Sequence, residues 1–169
     1  MIFSMKKFYS LMLCLLALSV SAQTIKSVSS PDGSIKVDVR IDKGITYDVY
    51  CGEEKLLADC RLSMDIEGHV LGSLPKLQSV KRQRVSNVKR PFLKLKFAEV
   101  SDNYNEMTLS MKGNYSVVFR AYDDGMAYRF VTSLKGEVKV NHEDITVFFP
   151  QDAQLVLQQS DRYRTSYEE

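Results

Sequence analysis

The sequence predicts an all-β fold, an antiparallel β-sandwich, on three observations. The segment "SIKVDVRI" (34–41) alternates with period two. Ile35, Val37, Val39 and Ile41 fall on one face and Lys36, Asp38 and Arg40 on the other, the pattern of a half-buried antiparallel strand. Turn signals recur at short intervals, with Pro31-Asp32-Gly33 before this segment and Asp42-Lys43-Gly44 after it. Beyond residue 22 no stretch carries the 3.6-residue spacing of an amphipathic helix. Many short alternating runs without helical segments are the signature of two packed sheets.

The remaining elements follow from the same period. "ITYDVYC" (45–51) continues a hairpin from Asp42-Lys43-Gly44. The next strands are predicted at "RLSMDIE" (61–67), "KLQSVKRQRV" (76–85), "FLKLKFAEV" (92–100) and "NEMTLSM" (105–111). They are followed by "YSVVFRAY" (115–122), "MAYRFVTSL" (126–134), "EVKVN" (137–141), "ITVFFP" (145–150) and "QLVLQQ" (154–159). "GHVLGSLPKL" (68–77), with two glycines and a proline, reads as a loop. The closing "QQSDRYRTSYEE" follows core-like strands with no closing strand of its own. An unpaired sheet edge left there predicts an incomplete sandwich.

The first 23 residues, "MIFSMKKFYSLMLCLLALSVSAQ", have a different character. Lys6 and Lys7 precede an apolar run from Phe8 to Val20, and Val-Ser-Ala stands before Gln23. This is the pattern of a secretory signal peptide over residues 1–22, with cleavage after Ala22. The run is shorter than the roughly 20 residues a spanning helix needs; an uncleaved anchor is the alternative. Lipidation fits poorly, because Cys14 lies inside the run and no cysteine follows Ala22 closely. The expectation is an exported protein, periplasmic or secreted, with one β-domain over 23–169 and no membrane contact after cleavage.

Charge and cysteines narrow the partners. The chain has 23 basic and 21 acidic residues, and the signal segment holds two of the lysines and no acid, leaving 21 of each. A balanced surface gives no electrostatic reason to bind nucleic acid or an anionic membrane. The local basic run "KRQRVSNVKR" (81–90), interrupted by Val85 and Val88, reads as the solvated side of a strand. Export allows Cys51 and Cys60 to form a disulfide if their Cα atoms come within about 7 Å; otherwise they are two free, half-buried thiols. No histidine or third cysteine lies near enough in sequence to make them a metal pair.

No catalytic constellation emerges from the residues. His69 and His142 sit in unrelated segments and read as exposed loop histidines, and motifs for a nucleophile elbow, a P-loop or a zinc helix are absent. Glycosidases work through two carboxylates flanking a sugar, but adjacent Asp123 and Asp124 in a tight turn point apart. Asp124-Gly125 instead supplies the positive φ angles of a type I′ turn. With those two residues as the loop, Phe119 faces Phe130, Ala121 faces Tyr128, and Arg120 faces Arg129. One face is then apolar, and the two arginines call for a neighbouring carboxylate or domain, unless solvent alone separates them.

Several stretches then carry a likeness to a known family. "SDNYNEMTLSMKGNYSVVFRAYDDGMAYRF" (101–130) resembles the N-terminal domain of glycoside hydrolase family 97. The matching residues are Tyr104, Asn105 and Glu106, then Phe119, Arg120, Ala121, Tyr122, Asp124, Gly125, Ala127, Arg129 and Phe130. "SVSSPDGSIKVDV" (27–39), "LGSLPKLQSV" (71–80) and "FFPQDAQLVL" (148–157) resemble segments before and after it, in the same order. The resemblance implies a β-super-sandwich, truncated here, that in complete enzymes precedes a (β/α)8 catalytic barrel and a C-terminal β-domain. It implies exo-acting α-glucosidase or α-galactosidase activity on α-linked oligosaccharides, with calcium near the active site. The catalytic acid and its partner belong to the barrel, so no catalytic residue is assigned. The terminal "SYEE" (166–169) resembles a segment that contributes a calcium ligand, which makes Glu168 the candidate metal residue. The alternatives are a free-standing secreted carbohydrate-binding β-sandwich and a structural module without sugar affinity. The absence of Trp and the placement of several tyrosines at core positions weigh against the first of these.

Overall fold

Alternating residues lie on opposite faces of a strand, so each predicted run has one face to bury. The computed structural model describes residues 25–92, 97–150, 152 and 154. Its strands are β1 (Ile25–Ser29), β2 (Ile35–Ile41), β3 (Ile45–Cys51), β4 (Glu54–Ile66) and β5 (His69–Leu71). They continue as β6 (Leu77–Lys89), β7 (Val100–Met111), β8 (Tyr115–Tyr122), β9 (Gly125–Thr132) and β10 (Val140–Thr146). One sheet runs β1-β2-β3-β4-β10, with β5 also paired to β4; the other runs β6-β7-β8-β9. Every pairing is antiparallel, so the predicted all-β sandwich is what forms.

The core lies between the sheets. Val37, Val39, Ile45, Tyr47 and Leu62 from the first meet Met107, Leu109, Val117 and Phe119 from the second, all essentially sealed from solvent. The Tyr47 and Phe119 rings sit 5.9 Å apart in a tilted contact, a geometry aromatic pairs favour. Burial pushes the Tyr47 hydroxyl up to about 12, with the neighbouring Cys60 thiol adding to the shift.

Outer faces are not merely solvated. On the first sheet Asp48 is buried, and Arg40 grips both its oxygens at 2.7 and 2.8 Å. A bulge in the β3–β4 ladder, with Asp59 at φ 53°, turns the Asp59 amide to donate to Asp48 Oδ1 at 2.8 Å. Lys55 Nζ donates to Oδ2 at 3.0 Å. The Arg40 guanidinium is the largest influence holding the Asp48 carboxyl well below the usual range; burial opposes it, and the Asp59 amide and Lys55 reinforce it. Directly opposite, Asp38 pairs with Lys36 at 2.8 Å through one oxygen, while its buried Oδ1 has no partner among the described residues.

The structure decides between the two cysteine alternatives and corrects several element assignments. Cys60 lies opposite Tyr47 in the core while Cys51 ends β3 beside Glu54. Four strand residues at about 3.3 Å each separate them by roughly 13 Å, beyond disulfide reach, and both thiols are free. The expected strands 137–141 and 145–150 are replaced by one, β10, whose irregularity between Val140 and His142 absorbs the break in alternation. The expected loop at 68–77 contains β5. His69 and His142 therefore lie on strands, not in loops. Phe92 and Phe97–Glu99 are not in a strand, and residues 93–96 of that expected element lie outside the described residues, as do 155–159 of the last one.

The basic run forms the solvated β6 as expected, exposed along most of its length. Among the described residues it pairs only with β7. Arg82 and Arg84 share the inward face with Val80 because they stand opposite Met107 and Asn105. Inward charges on a long edge strand discourage pairing with another chain.

Two outcomes follow. Phe119→Ala removes the largest fully buried side chain and lowers unfolding free energy by about 3–5 kcal/mol in urea denaturation, whereas the exposed Arg129→Ala stays within about 0.5 kcal/mol. Asp48→Asn costs about 3 kcal/mol at neutral pH, since Arg40 loses its countercharge. The folded Asp48 carboxyl is depressed. Its contribution is therefore complete above the unfolded carboxylate value of about 3.9 and is lost as pH falls through the lower folded value. Melting temperatures measured from pH 5 to pH 2 fall more steeply for the native chain than for Asp48→Asn.

Candidate functional site

The stretch shared by β7, β8 and β9 carries the residues singled out by the resemblance, and alternation sorts them between two faces. Phe119 and Ala121 point inward and are fully buried. Arg120 and Tyr122 point outward. On β7 the same rule sends Asn105 inward and Tyr104 and Glu106 outward, because Asn105 pairs with Ala121 and Glu106 with Arg120.

The outward residues form one packed cluster. Arg120 Nε donates to Glu106 Oε2 at 2.7 Å, and Gln83 Nε2 donates to the other Glu106 oxygen at 2.7 Å. The guanidinium lies 4.3 Å from the Tyr104 ring centre, in cation–π range, and Tyr104 and Tyr122 meet at 5.0 Å. Glu106 and Tyr104 are buried although they sit on an outer sheet face. Burial works against the Arg120 charge, but Glu106 and Tyr122 outweigh it and raise its pKa. The predicted carboxylate beside an arginine is therefore Glu106. Arg129 remains exposed.

The hairpin turn differs from the expectation. Tyr122 pairs with Gly125, so Asp123-Asp124 is the two-residue loop, Phe119 faces Tyr128, Arg120 faces Ala127, and Val118 faces Arg129. The shift from the expected register is two residues, which keeps every side chain on its expected face while separating the arginines. Neither aspartate nor Gly125 adopts positive φ, so no type I′ turn forms.

A contact distant in sequence accounts for this loop. The Asp32 amide donates to Asp123 Oδ1 at 3.0 Å, and Ser34 Oγ donates to the Asp123 carbonyl at 3.2 Å. Asp32 Oδ1 in turn accepts from Ser30 Oγ, the Ser34 amide and Ser34 Oγ. The Ser30 hydroxyl leads these in pulling the Asp32 carboxyl below its usual range. Asn105 Nδ2 donates to the Ser29 carbonyl at 2.8 Å, a second tie between the sheets on the same side.

Asp123 is engaged with Asp32, and Glu106 is closed by Arg120 and Gln83. Among the described residues no group of three or more His, Cys, Asp or Glu side chains could hold a metal ion. Glu168, the candidate calcium residue, lies outside the described residues. His142 stands between Asp144 at 3.2 Å and Asp65 at 4.0 Å on the outer face of β4 and β10. Glu143 accepts a hydrogen bond from Tyr128 at 2.7 Å across the sandwich. Burial first, then Glu143, raises the Tyr128 pKa.

Sequence reasoning missed the ring–guanidinium stack, the Asp32–Asp123 link and the Arg40–Asp48 pair. Only the last left a signal: a lone aspartate inside "ITYDVYC" lies diagonal to Arg40 once the preceding hairpin is drawn. The outer cluster makes a measurable claim. Glu106→Ala costs about 3 kcal/mol by leaving Arg120 uncompensated. Adding Arg120→Met to that variant recovers part of the loss, a coupling read from a double-mutant cycle in urea.

These residues lie in a chain whose residues 28–169 match the family described as glycosyl-hydrolase 97 N-terminal. A retaining alpha-galactosidase of Bacteroides thetaiotaomicron is 38% identical over 151 residues, which are 88% of this chain and 22% of that protein. A glycoside hydrolase family 97 enzyme from Pseudoalteromonas sp. strain K8, solved in complex with acarbose, aligns with TM-score 0.61 at 21% identity over 71% of this chain and 20% of its own. A beta-arabinopyranosidase aligns with TM-score 0.67 at 22% identity, over 74% of this chain and 21% of its own. The solved structures share the fold, and the chain spans about a fifth of the length of these relatives. With a match over most of its length, the chain belongs to the glycosyl-hydrolase 97 N-terminal family.

Proposed function

We propose that this chain is the non-catalytic N-terminal β-sandwich domain of an exported α-glycosidase, supporting a (β/α)8 barrel and lining its sugar cleft. The observation that carries the reading is how the family-matching residues are used. Phe119 and Ala121 fill the core, Asn105 ties the two sheets, and Glu106 and Arg120 neutralise each other. No carboxylate in the cluster is left to flank a glycosidic bond.

The substrate class is an α-linked oligosaccharide, bound together with the barrel. Support comes from the retaining alpha-galactosidase relative and from family 97 enzymes solved with acarbose and with panose. Export to the periplasm or beyond rests on the signal-like segment 1–22. Calcium belongs to this reading only for a complete enzyme. Glu168 would give one oxygen, and the other ligands of a 6–8-coordinate ion would come from outside the described residues. A free-standing carbohydrate-binding module is the second reading, favoured by Tyr50 and Tyr122, whose half-buried rings lie on outer faces rather than in the core.

The test uses the chain alone. It is expected to leave p-nitrophenyl α-galactoside and α-glucoside uncleaved, with a melting temperature unmoved by panose or calcium. Hydrolysis would overturn the non-catalytic assignment. An upward shift with panose would favour the free-standing module.

A further inference from the structure

At the end of the sandwich where β4 turns into β5, the segment 69–76 forms the wall of a cleft of about 540 Å³. This wall is pinned from both sheets. The Gly72 amide donates to the Tyr115 hydroxyl at 3.2 Å, and the Leu74 amide donates to the Lys43 carbonyl at 3.1 Å. Gly72 has φ 87°, and a Cβ there would stand 2.9 Å from the Leu62 carbonyl oxygen, so a side chain cannot replace it without moving β4. The pinning holds Leu74 at φ 44°, a left-handed conformation unusual for a branched aliphatic residue. It also leaves that side chain 70% exposed on the cleft. Among the described residues this large apolar side chain packs into no core, and backbone strain of this kind clusters at ligand sites.

The rest of the lining defines the ligand. Leu71, Pro75, Leu134 and Val138 add apolar surface. Lys76, Lys112 and Lys135 line the same space, against Glu67 and Glu137. Glu67 is turned toward the Lys139 amide, whose hydrogen bond it accepts at 3.4 Å. Three ammonium groups against two carboxylates leave one positive charge beside apolar walls. We infer that this cleft binds an amphipathic monoanion, its apolar body against Leu74 and its neighbours and its anionic group on the lysines. A preformed cavity of this size with few charged groups is the usual form of a small-molecule site.

The test is an amide chemical-shift titration of the ¹⁵N-labelled chain with octanoate, octanol and octylammonium. Octanoate is expected to shift amides of residues 66–76, 112–115 and 134–138 to saturation, and octylammonium to leave them in place. Lys112→Glu weakens octanoate by about tenfold. Leu74→Gly, which adopts the same φ freely, weakens it similarly while the melting temperature holds. The inference is overturned if octanoate shifts none of these amides. It is equally overturned if octanol or octylammonium shifts them as strongly, or if both variants bind octanoate as the native chain does.

Discussion

The register between β7 and β8 is the constraint on which the rest of the second sheet depends. Setting Glu106 opposite Arg120 fixes which residues of both strands face the core, because alternation leaves no independent choice for their neighbours. Phe119 and Met107 are thereby committed to the interior and Tyr104 and Tyr122 to the outer face. A slip of β8 by one residue would turn Arg120 between the sheets and leave Glu106 outside, burying an unpaired charge at a cost of several kcal/mol. It would also expose Phe119. The outer pair thus does more than bind: it penalises the wrong register.

The same economy explains the first sheet. Arg40 and Asp48 lie diagonally across the β2–β3 hairpin, and the bulge at Asp59 supplies an additional donor to the buried carboxylate. Each sheet therefore closes one buried carboxylate on its outer face with an arginine. The two sheets meet through an apolar core plus a small set of polar ties at one end, from Asp32 and Ser34 to Asp123 and from Asn105 to Ser29. Residues that look catalytic by type, two aspartates in a turn and a glutamate beside an arginine, are engaged in holding strands.

Much of this was legible in the sequence, for a physical reason. Period-two alternation is a local property, so β3 and β8 were read to the residue and β2 nearly so. The Phe119/Arg120 facing was also read correctly, because a two-residue register shift leaves faces unchanged. What decided the loop of that hairpin was Asp123 meeting Asp32, a contact between residues 91 positions apart, and no local turn rule contains it. Cys51 and Cys60 were near in sequence, yet the β3–β4 ladder runs them to different levels. Tyr104 and Tyr122 follow Glu106 and Arg120 to the outer face by the same alternation, but their packing against the guanidinium joins two strands and no local pattern contains it. The cleft beside Leu74 depends on a close approach at Gly72 and left no sequence signal beyond a glycine.

Native-state hydrogen exchange across β7 and β8 tests most directly the claim that these residues are architectural. The account predicts that the amides of Met107, Leu109, Val117 and Phe119 exchange only through global unfolding, and that Arg120→Ala lowers their protection together by the change in global stability. Exchange of these amides through local opening, with protection indifferent to Arg120, would contradict it.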